Sequence, residues 1–351
     1  MEGLEIDAAR RLSIDDFRPK VSTCINKYLS LSEGQSLTFG LFCRGECFVF
    51  ESKNGGALHL YDIGSISKTM TAHLILKLRS EKRIDLSLGA DKYLDLPEGD
   101  YPSVYELLTH TAGYGHLTPA EITIPKLLKH GYAKENIYGG CDEKTVIKAL
   151  SKRRHAGRDK YSYSDFSYAI LALIAQKISG RHFADLFEDF IHHELGMKNT
   201  YIEPPEGQMR PPSMRGHKEI SPWRWERDNP YIAGGGIVSS VYDMLIYITR
   251  QIEGREPYII EAHKLCERSV SDSSNIATAI GWHTYKRSNQ LWHVGGVGTF
   301  RSSIILNKRR KIGVVVLGNS KGIACANVHY LAKMLYSEIK INKIELQKEE
   351  L

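Results

Sequence analysis

Ser65 and Lys68 stand three residues apart in Ser65-Ile66-Ser67-Lys68, where short apolar runs give way to helical spacing. On a helix, that separation puts two side chains on one face. A serine hydroxyl is a weak nucleophile until a neighbour takes its proton. A lysine amine can take it when burial or nearby positive charge lowers its pKa. The first turn of a helix adds unpaired N–H groups and the positive end of a dipole, which suit a developing oxyanion. The chemistry on offer is acyl transfer through a covalent serine intermediate. The same tetrad also arises as a helix cap beside a solvated lysine. Ser67 competes as nucleophile but has no lysine at the same spacing.

Two further segments carry polar groups at corners. Tyr163-Ser164-Asp165 precedes an apolar helical run. It would point a phenol and a carboxyl into a site, or it supplies a helix N-cap, Asp165, and a core tyrosine. His293-Val294-Gly295-Gly296 ends one strand pattern and leads into another. Its glycines allow close backbone approach to an edge strand, with His293 facing a cleft as a donor. The competing reading is a tight hairpin with a structural histidine. Strand, not helix, follows, which disfavours a dinucleotide site.

Other residues read more plainly. His110 is expected to hold its loop by hydrogen bonds. His192-His193-Glu194 lacks the spacing of a helical zinc motif, so no metal and no cofactor is expected. Lys152, Arg153, Arg154, His155, Arg158 and Lys160 form a solvated basic face or a rim that attracts anions. Trp223 and Trp225 would wall an acyl pocket or meet a partner. The six cysteines, Cys24, Cys43, Cys47, Cys141, Cys266 and Cys325, contain no C-x-x-C pair. Cys43 and Cys47 flank a hairpin turn and read as thiols, with a cross-strand disulfide as the alternative.

These groups need a scaffold, and periodicity outlines one. A helix is expected over 14–31, then strands in SLTFGLFC, CFVFES and ALHLYDIG, then a helix from Ser65. Residues 80–200 read as helix and loop, with a helix from Phe166 to Ser179 stopped by Gly180. Gln208–Asn229 reads as a long surface loop. Strands return in TAIGWHTY, NQLWHVG, TFRSSIILN and KIGVVVLGN, and a helix over 323–339 closes the chain. The pattern predicts one sheet built from both ends of the chain, with a mainly helical lobe inserted. The expected division is 14–79 with 200–340 as the α/β sheet lobe, 80–199 as the helical lobe, and 341–351 as a charged tail.

Composition excludes several classes. The 351 residues are 42% hydrophobic and 25% charged, an ordinary globular balance. The net charge of +6 comes without a nucleic-acid-binding signature. No apolar run approaches the roughly 18 residues of a membrane span. The N-terminal stretch has no basic segment followed by an apolar one, so a soluble, cytoplasmic protein is expected.

Taken in order, Ser65-x-x-Lys68, Tyr163-x-Asp165 and His293-x-Gly295 resemble the three motifs of serine β-lactamases and penicillin-binding proteins. The resemblance is closest to class C β-lactamases, D-alanyl-D-alanine carboxypeptidases and their esterase-like members. LLTHTAGYG (107–115), AGGGIVSSVYDM (233–244) and HVGGVGTFRSSIILN extend it over 37–335. It implies a β-lactamase/transpeptidase-like α/β (α+β) fold with an antiparallel sheet flanked by helices. It implies that Ser65 forms the acyl-enzyme, Lys68 accepts or relays its proton, and Tyr163 is the partner base. His293 takes the place of the usual lysine, and the N–H groups of Ser65 and Gly296 form the oxyanion hole, beside Gly295. Asp165 replaces an asparagine and would hold Lys68 as a cation. The implied function is a serine hydrolase of a peptide, β-lactam or small ester. The alternatives are an acyltransferase of secondary metabolism and a non-catalytic binding module. The implied partner is a small-molecule or peptide substrate.

Overall fold

The Ile312–Gly318 strand is buried along its whole length. An unbroken apolar run of this kind belongs to a strand covered on both faces. Val314 and Val316 enter one core, Val315 and Leu317 the other. The computed structural model describes residues 9–132, 134–153, 160–266, 275–286, 288–322 and 327–340. Its main sheet has eight strands in the order Arg10–Leu12, Glu46–Glu51, Leu37–Cys43, Ile312–Gly318, Phe300–Asn307, Gln290–Val297, Trp282–Tyr285, Ile276–Ala279. Both ends of the chain contribute, as the pattern predicted. The sheet is mixed rather than purely antiparallel, because the short edge strand Arg10–Leu12 pairs in parallel with Phe48–Phe50.

Helices Pro19–Leu29 and Val328–Lys340 cover one face. Helices Ser67–Ser80 and Val241–Glu253 belong to the larger core on the other. The Asp165–Ser179 helix is buried from Asp165 through Ala175, and it packs on Ser67–Ser80. It ends at Gly180, whose φ of 69° is the left-handed stop that glycine accepts without strain. The two helices that carry Lys68 and Asp165 are therefore clamped together by apolar burial. Truncating a buried leucine or isoleucine there costs about 2–5 kcal/mol.

Several expectations need correction. The helix over 14–31 is a short turn, Ile14–Asp16, followed by Pro19–Leu29, with Pro19 suited to the first helical position. The third expected strand shrinks to Tyr61–Asp62 and pairs with Val238–Ser239 in a separate small sheet. The Gln208–Asn229 loop contains a hairpin, Ser213–Arg215 with Lys218–Ile220, and buries Met214 and Trp223. Ser164, not Asp165, caps the central helix and accepts from the Ser167 N–H. The closing helix is described from Val328, while 323–326 and the tail 341–351 lie outside the described residues.

Cys43 pairs in register with Glu46, and Cys47 with Phe42. Their side chains pack on opposite faces of the sheet, so a disulfide between them would have to cross it. Both are thiols, and Cys325 lies outside the described residues. Among the described residues no helix is long and apolar enough to cross a membrane.

Candidate active site

Ser65 sits in a tight turn, Gly64–Ile66, that feeds the Ser67–Ser80 helix. Gly64 has φ +51°, and a Cβ there would lie 2.5 Å from the Gly296 nitrogen. A Cβ on Gly295 would lie 1.9 Å from the Ile63 carbonyl oxygen. Glycine is required at both places because backbone packs on backbone. The Ser302 hydroxyl donates to the same Ile63 carbonyl at 2.7 Å and tightens this seam. Ser67 donates to the Gly64 carbonyl at 2.6 Å, so its hydroxyl serves the turn.

Lys68 has no exposed surface. Its ammonium lies 3.3 Å from the Ser65 hydroxyl, 2.6 Å from the Gly234 carbonyl, and hydrogen-bonded to Asp165 Oδ1. Three N–H donors thus meet three acceptors. The ammonium also lies over the ring faces of Tyr163 and Tyr168, at 4.9 and 5.5 Å. A Cβ on Gly234 would come within 3.2 Å of Lys68 Nζ, so a glycine fits this position.

Burial alone would raise the Asp165 carboxyl. The Lys68 ammonium, His116, and hydrogen bonds from Lys68 and Tyr138 outweigh it and hold the group below its ordinary value. Its second oxygen accepts from the Tyr138 hydroxyl at 2.6 Å and lies 3.6 Å from His116 Nδ1. Both oxygens are committed to groups around Ser65.

Tyr163 is half-buried, and its buried hydroxyl makes no hydrogen bond of ordinary geometry. Burial, reinforced by the Asp165 charge, pushes its pKa well up, while the nearby Ser65 hydroxyl pulls it slightly down. His110 packs on this ring at 4.5 Å, and its Nδ1 accepts from the Ser164 N–H at 3.2 Å. That histidine positions the Tyr163 segment, as expected of a structural residue.

His293 is buried with its ring 6.3 Å from Tyr163. Burial, with His283 and Lys68 nearby, drives its pKa well down, so the ring is neutral at pH 7. Its Nδ1 lies 2.9 Å from the Val294 carbonyl, which can only accept. The single N–H of the neutral ring is therefore spent there. His293 was expected to act as a donor; instead its Nε2 is left as an acceptor.

Gly296 presents its carbonyl to the Tyr132 hydroxyl at 2.7 Å. In an antiparallel strand the N–H and C=O of one residue leave on the same side. The Gly296 N–H therefore faces the same unpaired edge, against the Gly64–Ser65 turn. The expected oxyanion pairing of Ser65 and Gly296 would be made on this side.

Other candidates fall elsewhere. His192 bonds the Thr200 carbonyl at 2.7 Å, and Glu194 lies 3.3 Å from Lys77. Arg153 pairs with Glu121 at 2.6 Å, while Arg154, His155 and Arg158 lie outside the described residues. Trp223 donates to the Tyr132 carbonyl at 3.0 Å. Trp225 lies against Gly235 and Gly236. Tyr132, Tyr138 and His116 went unnoticed in the sequence, and Gly234 entered only as part of the AGGGIVSSVYDM segment, with no role given. The glycine run 234–236 was the one available signal; the others sit in loops without a pattern.

The family model described as Beta-lactamase matches residues 55–335, and the chain belongs to that family. It places the chain in a superfamily of mostly serine hydrolases. Protein flp of Staphylococcus aureus strain MW2 is 22% identical over 294 residues, covering 78% of this chain and 54% of that protein. A Beta-lactamase of Providencia stuartii is 27% identical over 192 residues, 54% of this chain and 46% of that one. The chain spans about half the length of these curated relatives. The octameric penicillin-binding protein homologue from Pyrococcus abyssi superposes with a TM-score of 0.73 at 22% identity, over 93% of this chain and 78% of that one. The β-lactamase/D-alanine carboxypeptidase from Yersinia pestis, complexed with citrate, gives 0.70 at 19%, over 92% and 98%. These likenesses establish the fold.

Proposed function

We propose that this chain is a serine hydrolase that cleaves an ester or amide through an acyl-enzyme on Ser65. The observation that carries this reading is the Lys68 ammonium, fully buried and 3.3 Å from the Ser65 hydroxyl, beneath the unpartnered Tyr163 phenol. In the proposed reaction the substrate carbonyl sits over Ser65 with its oxygen toward the Gly296 N–H. The Lys68 ammonium first gives one proton to solvent, and Ser65 then attacks as its hydroxyl proton passes to the resulting Lys68 amine, with the Tyr163 phenol alongside it. The oxyanion returns to a carbonyl as the leaving group departs with that proton. Water then repeats the sequence on the acyl-enzyme. The division into a sheet lobe (14–79 with 200–340) and a helical lobe (80–199) is part of the proposal. The sheet lobe supplies Ser65, Lys68 and His293, and the helical lobe Tyr163 and Asp165.

A binding module is the second reading, favoured by the Lys68–Asp165 ion pair, since an ammonium has no free lone pair with which to accept a proton. Intact mass spectrometry after exposure to a fluorophosphonate and to a penicillin separates the two. A stoichiometric adduct, mapped to Ser65 and absent in Ser65→Ala, is the expected result. No adduct with either probe favours the binding module. With any substrate so identified, Ser65→Ala lowers turnover by roughly 10³-fold or more; a variant that keeps its activity would reject the assignment.

A further inference from the structure

The strand beside Ser65 runs past its last pairing with Trp282–Tyr285, at Trp292, and on that open side Gly296 offers two groups to a substrate, its N–H and its C=O. The N–H suits an oxyanion. The C=O is the acceptor for any substrate that lies along the edge as an added strand and donates an amide N–H. That acceptor is already taken: Tyr132 donates to it at 2.7 Å. Tyr132 is itself held, because Trp223 bonds its carbonyl at 3.0 Å and packs on its ring at 4.8 Å. Burial, with the Asp165 charge, pushes the Tyr132 pKa well above its ordinary value, so the hydroxyl keeps its proton across the working range. Asp165, at the other wall of the site, has both oxygens engaged and no N–H to offer. A peptide-like acyl group would therefore find its strand acceptor occupied and its second wall without a side-chain amide donor.

Building on the acyl-enzyme reading, we propose that Tyr132 is a specificity residue that occupies the docking position of a substrate amide, so that the preferred acyl groups lack an N–H beside the scissile carbonyl. The substrate class is simple esters rather than peptides or acylamino β-lactams. A substrate with the N–H must displace the phenol and gains one hydrogen bond while losing another.

A matched pair of p-nitrophenyl esters tests this: N-acetylglycine and 4-oxopentanoic acid, which differ by NH in place of CH2. Wild type should turn over the two with similar kcat/KM, or favour the 4-oxopentanoate. Tyr132→Phe frees the Gly296 carbonyl and should shift the ratio toward the N-acetylglycyl ester by roughly three- to ten-fold, the worth of one net hydrogen bond. Trp223→Phe, which releases the Tyr132 segment, should move the ratio the same way. An unchanged ratio in both variants, with both esters still turned over, overturns the proposal. So does a wild type that already prefers the N-acetylglycyl ester ten-fold. Fluorophosphonate labelling of Ser65 in the same samples keeps the two readings apart. Labelling with an unmoved ratio sinks only the role of Tyr132, whereas no labelling in any sample sinks the acyl-enzyme and this role with it.

Discussion

A lysine without exposed surface keeps its charge only if the groups around it replace the water it has lost. For Lys68 these groups are Asp165, the Gly234 carbonyl and the Ser65 hydroxyl. Replacing one partner leaves the other uncompensated. Asp165→Asn should therefore lower stability by about 3–5 kcal/mol at pH 7, read from denaturant unfolding. A change below about 1 kcal/mol would show that the pair is not ionised in the folded chain. The pH dependence has a definite sign. Because the Asp165 carboxyl lies below its ordinary value, its contribution is present above pH 4 and is lost as pH falls through the folded value.

At the scale of elements, the seam between the Gly64–Ser65 turn and the strand at Gly295–Gly296 decides whether the proposed nucleophile and oxyanion donor meet. Backbone cannot yield as a flexible side chain can. Gly295→Ala would put a methyl group 1.9 Å from the Ile63 oxygen and force the two segments apart. Removing an oxyanion donor costs roughly 10²–10³-fold in turnover. The same loss is expected here in kcat, with KM changed less and fluorophosphonate labelling slowed in parallel. A neighbouring position gives the comparison: a Cβ on Gly296 would meet the Arg301 side chain, at 3.3 Å, rather than backbone, so a smaller loss is expected there. Equal losses in the two variants would show that the seam is not the determinant.

The whole molecule buries an unusual set of neutral imidazoles. Burial lowers His263 to about 3 and both His283 and His329 to about 4. His73, His110 and His293 are driven well down by the same cause. When the chain unfolds, each takes up a proton near its ordinary pKa of about 6.5. Stability is therefore full above that value and falls as pH drops toward the folded values, by up to about 1.4 kcal/mol per pH unit for each histidine. Asp243, raised by burial to about 6, titrates with the opposite sign and offsets part of one histidine's share between pH 4 and 6. The midpoint of thermal unfolding should fall steeply between pH 6.5 and 5. A flat profile over that range would mean that these rings reach water in the folded state.

Local rules made most of the scaffold legible. The 312–318 run announced a strand, and Gly180 announced a helix stop, because backbone preference and periodic burial act over a few residues. Ser65 and Lys68 were legible for the same reason, since one helical turn joins them. Tertiary packing decided the rest. Nothing local says that Gly234 must lie against Lys68, that Tyr132 reaches the Gly296 carbonyl across 164 positions, or that His293 spends its N–H on its own strand. These contacts depend on how distant segments close around one buried charge, and the energy that fixes them comes from the cores on either side of the sheet, far from the residues they position.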